Sequence, residues 1–400
     1  MIIVGFVEGA SPRKGGIGLV GVPPTLNSLA RRGHKAVLVM ASPPIPNNQT
    51  SIVTDSDVVL KNNDGIGSFG IVVFKALGNW GFSPTVLWRF SRLVRISDFV
   101  SLHSIYSFPV LAGYLLARLH HKPYAIWPHS VLAPFQRSVS TRKKAVYDRL
   151  FAKRILKNAS MVIFTAAGER EEAEDLKLCA PSVVIPHGID VDEFADLPPR
   201  GGFRSRFVSG HQGPLVLFLA RLNAKKGLDL LIEAMRLVVA QRPMAKLAIA
   251  GPPDPPSFVD RVRKWVKASG IAENVVLTGP IDRAIRLEAF ADSDVFALPS
   301  HAENFGFSIF EAMASRLPVV VSNTLNYAEE ISRAGAGLAV PRTPERFAAA
   351  IVRLLDHSAL RRKMGDRGVH LARKYSWDQC GLELERAIEA VANDHLPSMT

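Results

Sequence analysis

At 400 residues and 43.7 kDa the chain is too long for one ordinary domain and points to two. With 48% hydrophobic and 21% charged residues it carries enough apolar surface to fold, which excludes an intrinsically disordered polyelectrolyte. Its two cysteines, Cys179 and Cys380, lie far apart without histidine clusters, which excludes a disulfide framework or a four-ligand zinc site and fits a reduced, cytoplasmic compartment.

Basic residues outnumber acidic ones by 49 to 36, and the excess is uneven. Residues 1–168 hold 20 basic and 6 acidic side chains, while the remainder is close to neutral. A first half of this kind implies an anionic partner, whether nucleic acid, an acidic lipid surface or a phosphorylated substrate; the alternative is a basic surface that serves solubility.

In chain order, short runs rich in Val and Ile alternate with stretches of helical periodicity, the pattern of parallel sheets with crossover helices. Strands are expected at 2–7, 36–41, 98–103, 124–129, 161–165 and 183–186. Residues 1–7 lack a basic start and read as the first strand rather than an export signal. Segment 47–79, rich in Gly, Asn and Asp, reads as a flexible flap. The uncharged stretch 99–117 is interrupted by Ser101, His103, Ser104, Ser107 and Pro109, so it reads as strand, turn and helix instead of a membrane span. The turn-rich segment from Leu197 to Gly202 marks a domain boundary, with 1–195 before it and 196–376 after it.

A second series follows: strands at 215–220, 246–251, 275–279, 295–299 and 319–322, with helices at 228–241, 258–269, 283–292 and 306–316. Helices at 344–356, 359–374 and 377–392 close the chain, the last able to cross back onto the first half. The fold class is therefore α/β, with two doubly wound Rossmann-like domains facing a cleft.

Ligands of open parallel sheets sit beyond the carboxyl ends of the strands, so the residues following each strand are the candidates. After the first strand, Gly15, Gly16 and Gly18 form a glycine turn ahead of an apolar helix, suited to an anion or simply to a tight turn. Arg221 and Lys226, with Gly227 opening a helix, suit a diphosphate, though a solvated loop would look similar. Glu303 and Glu311 stand in an E-x7-E arrangement around a helix start at Asn304, Phe305 and Gly306, whose amides would attract phosphate oxygens. Glu303 could simply be a dipole-favoured helix start and Glu311 a surface position, but the flanks Ile309, Phe310, Ala312 and Met313 imply burial of Glu311, a buried carboxylate needs a partner, and this one could accept hydrogen bonds from a ribose. His129 ends the strand at 124–129 and is either a site residue or a structural hydrogen-bonding histidine, as is His103. Segment 137–157 carries eight basic residues and one acidic, with Tyr147, Phe151 and Ile155 spaced by four. It reads either as an amphipathic helix on an anionic membrane or as one whose stripe faces the core.

Taken in order, these motifs resemble the retaining glycosyltransferases of family four with the GT-B fold. The resemblance rests on Gly15-Gly16, the run from Arg31 to Val37, Pro128-His129, His187-Gly188-Ile189-Asp190, Arg221 with Lys226-Gly227, Thr278-Gly279, Glu303-Asn304-Phe305-Gly306 through Glu311, and Tyr375-Ser376-Trp377 at the closing helix. It implies a nucleotide-sugar donor used as co-substrate, with no cofactor and no metal. Arg221 and Lys226 would neutralise the diphosphate, Glu311 would bind the ribose, and Glu303 with the backbone of Asn304, Phe305 and Gly306 would hold the donor sugar. Gly15 and Gly16 would approach the phosphates, and His129 would lie near C6 of the sugar. The acceptor implied is a glycan or lipid-linked glycan of cell-surface polysaccharide synthesis, reached at the inner face of the membrane. Two positions depart from the pattern: Ser130 stands where relatives often have glycine, and His187 where many have asparagine. The rivals are a nucleotide-sugar epimerase or hydrolase of the same fold, and a protein that only binds. Nucleic acid is not expected, because the basic segment shows no groove-reading or base-stacking signature.

Overall fold

In the computed structural model the described residues are 1–8, 21–42, 59–63, 67–77, 80–134, 137 and 142–394. The chain forms two compact units, one of residues 1–188 with the closing helix from Trp377, the other Ile189–Ser376.

The first unit is built on eight strands: β1 Ile2–Val7, β2 Lys35–Ser42, β3 Val59–Asn63, β4 Gly67–Lys75, β5 Phe99–His103, β6 Tyr124–Trp127, β7 Met161–Phe164 and β8 Ser182–Val184. Their spatial order is β3-β4-β2-β1-β5-β6-β7-β8. All neighbours pair in parallel except the hairpin β3–β4 at the edge. The central strands are buried along almost their whole length, as a sheet covered on both faces requires, and are mostly apolar; Ile3, Val4, Phe6, Val100, Leu102 and Ile126 are fully buried, with Ser101 and His103 the polar exceptions on β5. The stretch read as strand, turn and helix is β5 followed by the helix Phe108–Leu119. Where a flexible flap was expected at 47–79, the described part is β3 and β4, and β4 pairs with β2 over eight residues. For 59–63 and 67–75 that expectation is corrected: these residues pair as a hairpin, whose alternation Phe69, Ile71, Val73 is blurred by Gly70, while 47–58, 64–66, 78 and 79 lie outside the described residues.

The second unit holds β9 Leu215–Leu219, β10 Lys246–Ala250, β11 Val275–Gly279, β12 Val295–Leu298, β13 Val319–Ser322 and β14 Gly337–Val340, all parallel, in the order β11-β10-β9-β12-β13-β14. Counted within the unit this is 3-2-1-4-5-6, so the strand order reverses between β9 and β12, and ligands of such sheets bind at that reversal. The turn-rich segment 197–202 lies inside this unit. Asp292, fully buried, accepts hydrogen bonds from the backbone N–H groups of Gly201 (2.5 Å) and Arg204 (2.8 Å), which orders that turn.

The helix Trp377–Asp394 packs on the helix Val22–Arg31 of the first unit, as the expected crossing back requires. Gly381 brings its backbone close to Ser28. Glu385 receives Arg32 (Nη2, 2.5 Å) and His34 (Nε2, 2.6 Å). Among the described residues, no helix is long and apolar enough to cross a membrane.

Candidate active site

In the second unit the loops that leave β9 and β12 meet, because those strands are hydrogen-bonded neighbours. Past β9 the chain makes a short 3-10 turn, Ala224–Lys226, which ends at Gly227 with φ +69° before the helix Leu228–Gln241 starts. A Cβ at Gly227 would sit 2.3 Å from the carbonyl oxygen of Pro299, so glycine is required both for the backbone angle and for the close approach of the two loops. The His301 N–H donates to the Lys225 carbonyl (2.8 Å), and Arg342 Nε donates to that of Pro299 (3.0 Å).

This frame brings Lys226 and Glu303 together. Lys226 Nζ lies 2.5 Å from Glu303 Oε1, with side chains 14% and 12% exposed, and the Ser300 hydroxyl donates to the same oxygen at 2.5 Å. Asn326 Nδ2 donates to the carbonyls of Glu303 (3.0 Å) and Asn304 (3.1 Å), fixing the loop. Gly306, at φ +83°, caps the helix Phe307–Ala314. The Phe305 ring is buried and stacks on Phe310 at 4.3 Å, beside Tyr327 and Tyr375, so this residue anchors the loop through its side chain. The result is a charged pair before a helix N-terminus at the point of strand reversal, a place suited to an anionic ligand.

The partner that Glu311 requires is Arg286, whose Nη1 lies 3.0 Å from Oε1; the Glu311 side chain is largely but not fully enclosed, 13% exposed. Burial pushes the Glu311 carboxyl above its ordinary range, and Arg286 pulls it back in part. Arg286 also bonds Glu193 (2.8 Å), which Arg283 contacts at 2.7 Å. Against the desolvation that burial imposes, these two guanidinium groups hold Glu193 below the usual carboxylate range. Arg221 is placed differently from Lys226: it pairs with Asp254 of the loop after β10 at 2.9 Å, and both side chains are about half exposed.

In the first unit His129 follows β6 and belongs to a column of rings. His103 and His129 stack at 5.5 Å, His129 and His187 at 5.5 Å, with Trp127 alongside. Both His129 (φ +51°) and Ser130 (φ +65°) adopt the left-handed conformation that glycine favours, which accounts for the glycine of the family pattern at position 130. Glu169 holds the turn: its buried carboxylate accepts from the backbone N–H of Ser130 (2.5 Å) and from the N–H and hydroxyl of Thr165 (2.7 Å each). Burial raises Glu169 against the pull of those bonds. Desolvation lowers His103 and His187 to about 3 and His129 well below its ordinary value, so all three rings are neutral at physiological pH.

Gly15 and Gly16 lie outside the described residues. In segment 137–157 the chain forms the helices Arg142–Tyr147 and Lys153–Lys157 around a π-helical turn, Asp148–Ala152. Its apolar stripe turns inward: Ile155 is fully buried, and the Tyr147 hydroxyl donates to the Ile105 carbonyl at 2.8 Å. The stripe therefore takes the core-facing reading. Sequence reasoning missed Arg286, Glu193 and Asn326. Each acts on a partner distant in the chain, and the one signal was the demand of Glu311 for a cation.

Residues 203–370 match the family model described as glycosyl transferases group 1, and residues 25–193 the model for glycosyltransferase family 4. Over 240 residues the chain is 31% identical to a D-inositol 3-phosphate glycosyltransferase of Kineococcus radiotolerans, covering 56% of this chain and 55% of that one. It is 30% identical over 222 residues to a phosphatidyl-myo-inositol mannosyltransferase of Mycobacterium tuberculosis, covering 54% and 56%. The chain thus spans about half the length of these curated relatives. Among solved structures, a sucrose-phosphate synthase from Thermosynechococcus elongatus matches with a TM-score of 0.72 at 19% identity, over 98% of this chain and 99% of that one. Anabaena Alr3699/HepE in complex with UDP and glucose matches with a TM-score of 0.73 at 17% identity, over 98% and 100%. These likenesses establish the GT-B fold, and with the two family models side by side over most of its length, the chain belongs to the group 1 glycosyl transferases.

Proposed function

We propose that the protein is a retaining glycosyltransferase that moves a hexosyl unit from a nucleotide-diphosphate sugar to a phosphate-bearing glycan or lipid-linked acceptor. The observation that carries this reading is the Lys226–Glu303 contact at the strand reversal, ahead of the helix that bears Glu311. Lys226 and Arg221 would neutralise the diphosphate as it leaves, a task that cations in a partly water-free site perform without a metal. Glu311, with Arg286 behind it, would accept from the ribose hydroxyls. Glu303 and the backbone of Asn304, Phe305 and Gly306 would hold the sugar, and His129 would donate to it. Gly15 and Gly16 would approach the phosphates.

Two observations favour an anionic acceptor. The relatives are named for D-inositol 3-phosphate and phosphatidyl-myo-inositol, both phosphorylated. The first 168 residues carry 20 basic against 6 acidic side chains. Attachment at an anionic membrane would run through the exposed cations of segment 137–157, such as Arg149, Lys153 and Lys157, beside the exposed Val146 and Leu150.

Calorimetric titration with UDP, GDP and ADP, on the parent protein and on Glu311→Gln, tests the reading. One nucleotide should bind and lose affinity about tenfold in the variant, the cost of one hydrogen bond. Binding of none, or equal binding by the variant, would refute the assignment.

A further inference from the structure

The rings beneath His129 form a hydrogen-bonded chain with a direction. We propose that this chain fixes His129 as the Nδ1–H tautomer, so that it presents a donor and not a base to substrate, with Ser101 and His103 as positioning residues. The consequence for substrate rests on the reading above, in which His129 faces the sugar; the tautomer itself does not.

The chain starts at Trp127, whose indole N–H can only donate. It lies 3.1 Å from the Ser101 hydroxyl oxygen, which therefore accepts. Ser101 Oγ lies 3.0 Å from His103 Nε2, and His103 Nδ1 lies 3.2 Å from His129 Nε2. Ser101 is buried in β5, and among the described residues its hydroxyl hydrogen has one acceptor in reach, His103 Nε2. Among the described residues His129 Nδ1 is without a partner in either direction of the chain; were Ser101 to accept from His103 as well as from Trp127, its own O–H would be stranded in addition, and an arrangement that leaves fewer buried polar groups unpaired is favoured. Ser101 therefore donates, and His103 Nε2 is bare.

Each ring carries one proton, because burial keeps both histidines neutral. The proton of His103 is then on Nδ1 and is given to His129 Nε2, which leaves the proton of His129 on Nδ1. That nitrogen is buried and has no hydrogen-bond partner among the described residues. The left-handed backbone at His129 and the Ser130 N–H held by Glu169 aim the ring. A histidine set this way can donate to a hydroxyl or phosphate oxygen, and it cannot take a proton at Nδ1 from an attacking hydroxyl.

The test is a two-bond proton–nitrogen correlation spectrum of the full-length protein with 15N-labelled histidine, near neutral pH. The His129 signals are assigned by their loss in His129→Asn. A protonated Nδ1 and bare Nε2 at both His103 and His129 are expected. Ser101→Ala should move His129 toward the Nε2–H form and lower kcat/KM for the donor about tenfold, the value of one hydrogen bond. Ser101→Thr, which keeps the hydroxyl, should restore both. An Nε2–H form at His129 in the parent protein, or a tautomer indifferent to Ser101→Ala, would overturn the proposal even in an active enzyme. The expected tautomer in a protein that turns over no nucleotide sugar would uphold the chain and count against the transferase reading.

Discussion

Lys226→Met tests the pair at the strand reversal, since it removes the cation 2.5 Å from Glu303 and leaves that carboxylate with the Ser300 hydroxyl. A fully buried pair broken on one side costs about 3–5 kcal/mol; solvent reaches both of these side chains, so about 1–3 kcal/mol is expected. For a unit of this size that corresponds to a melting point lower by about 3–10 °C. Glu303→Gln should cost less, because a neutral amide keeps a partner in Ser300, and the double variant should be more stable than the sum of the two losses implies, with a coupling of about 1 kcal/mol. On activity, the same lysine is assigned the charge of the leaving diphosphate, and its removal should lower kcat/KM by about a hundredfold or more. Thermal denaturation of the four proteins and coupled detection of nucleotide release read both effects. A Lys226→Met protein that melts with its parent and releases nucleotide at the parent's rate would refute the reasoning.

Other expectations follow from the same geometry. Gly227→Ala places a Cβ 2.3 Å from the Pro299 carbonyl at a positive φ and should cost about 2–4 kcal/mol in urea denaturation; a loss below about 0.5 kcal/mol would contradict the close approach. Glu169→Ala strands the backbone N–H groups of Ser130 and Thr165 and should destabilise by a similar amount, read the same way. His103 and His187 are held near 3 by desolvation, so below about pH 6.5 the unfolded chain binds protons that the native state does not. Stability should therefore be full above that value and fall on acidification, by about 2 kcal/mol per ring at about pH 5. Urea midpoints at the two pH values measure this, and His187→Asn should flatten the dependence.

Most strands and helices of the second unit were legible because they are strongly periodic and separated by short turns; β9, β11, the helix Leu228–Gln241 and the helix Arg283–Asp292 follow the hydrophobic pattern almost to the residue, whereas the short edge strand β14 and the helix Ala328–Ala334 before it were not read. The hairpin β3–β4 was not, since Gly67 and Gly70 interrupt the period of two, and it gains its stability from pairing with β2. Glu303 and Lys226 could be singled out because local sequence sets them just ahead of glycines that open helices, and Glu311 because it is a carboxylate among apolar neighbours. Their partners Arg286 and Asn326, 25 and 23 residues away in the chain, owe their places to tertiary packing, which no local pattern encodes. The basic segment 137–157 shows the converse: a stripe at helical spacing has the same appearance whether it faces lipid or core, and only burial of Ile155 decides.

The most direct measurement of the central claim is release of nucleoside diphosphate from a panel of UDP-, GDP- and ADP-sugars, with and without phosphoinositide-containing lipid extract, together with the anomeric configuration of the glycosylated product. The account predicts release from one donor, accelerated by acceptor lipid, slowed about a hundredfold or more in Lys226→Met, and yielding a product with the anomeric configuration of the donor. Release that is independent of every acceptor would point to the hydrolase, and a protein that neither binds nor consumes any nucleotide sugar would contradict the account.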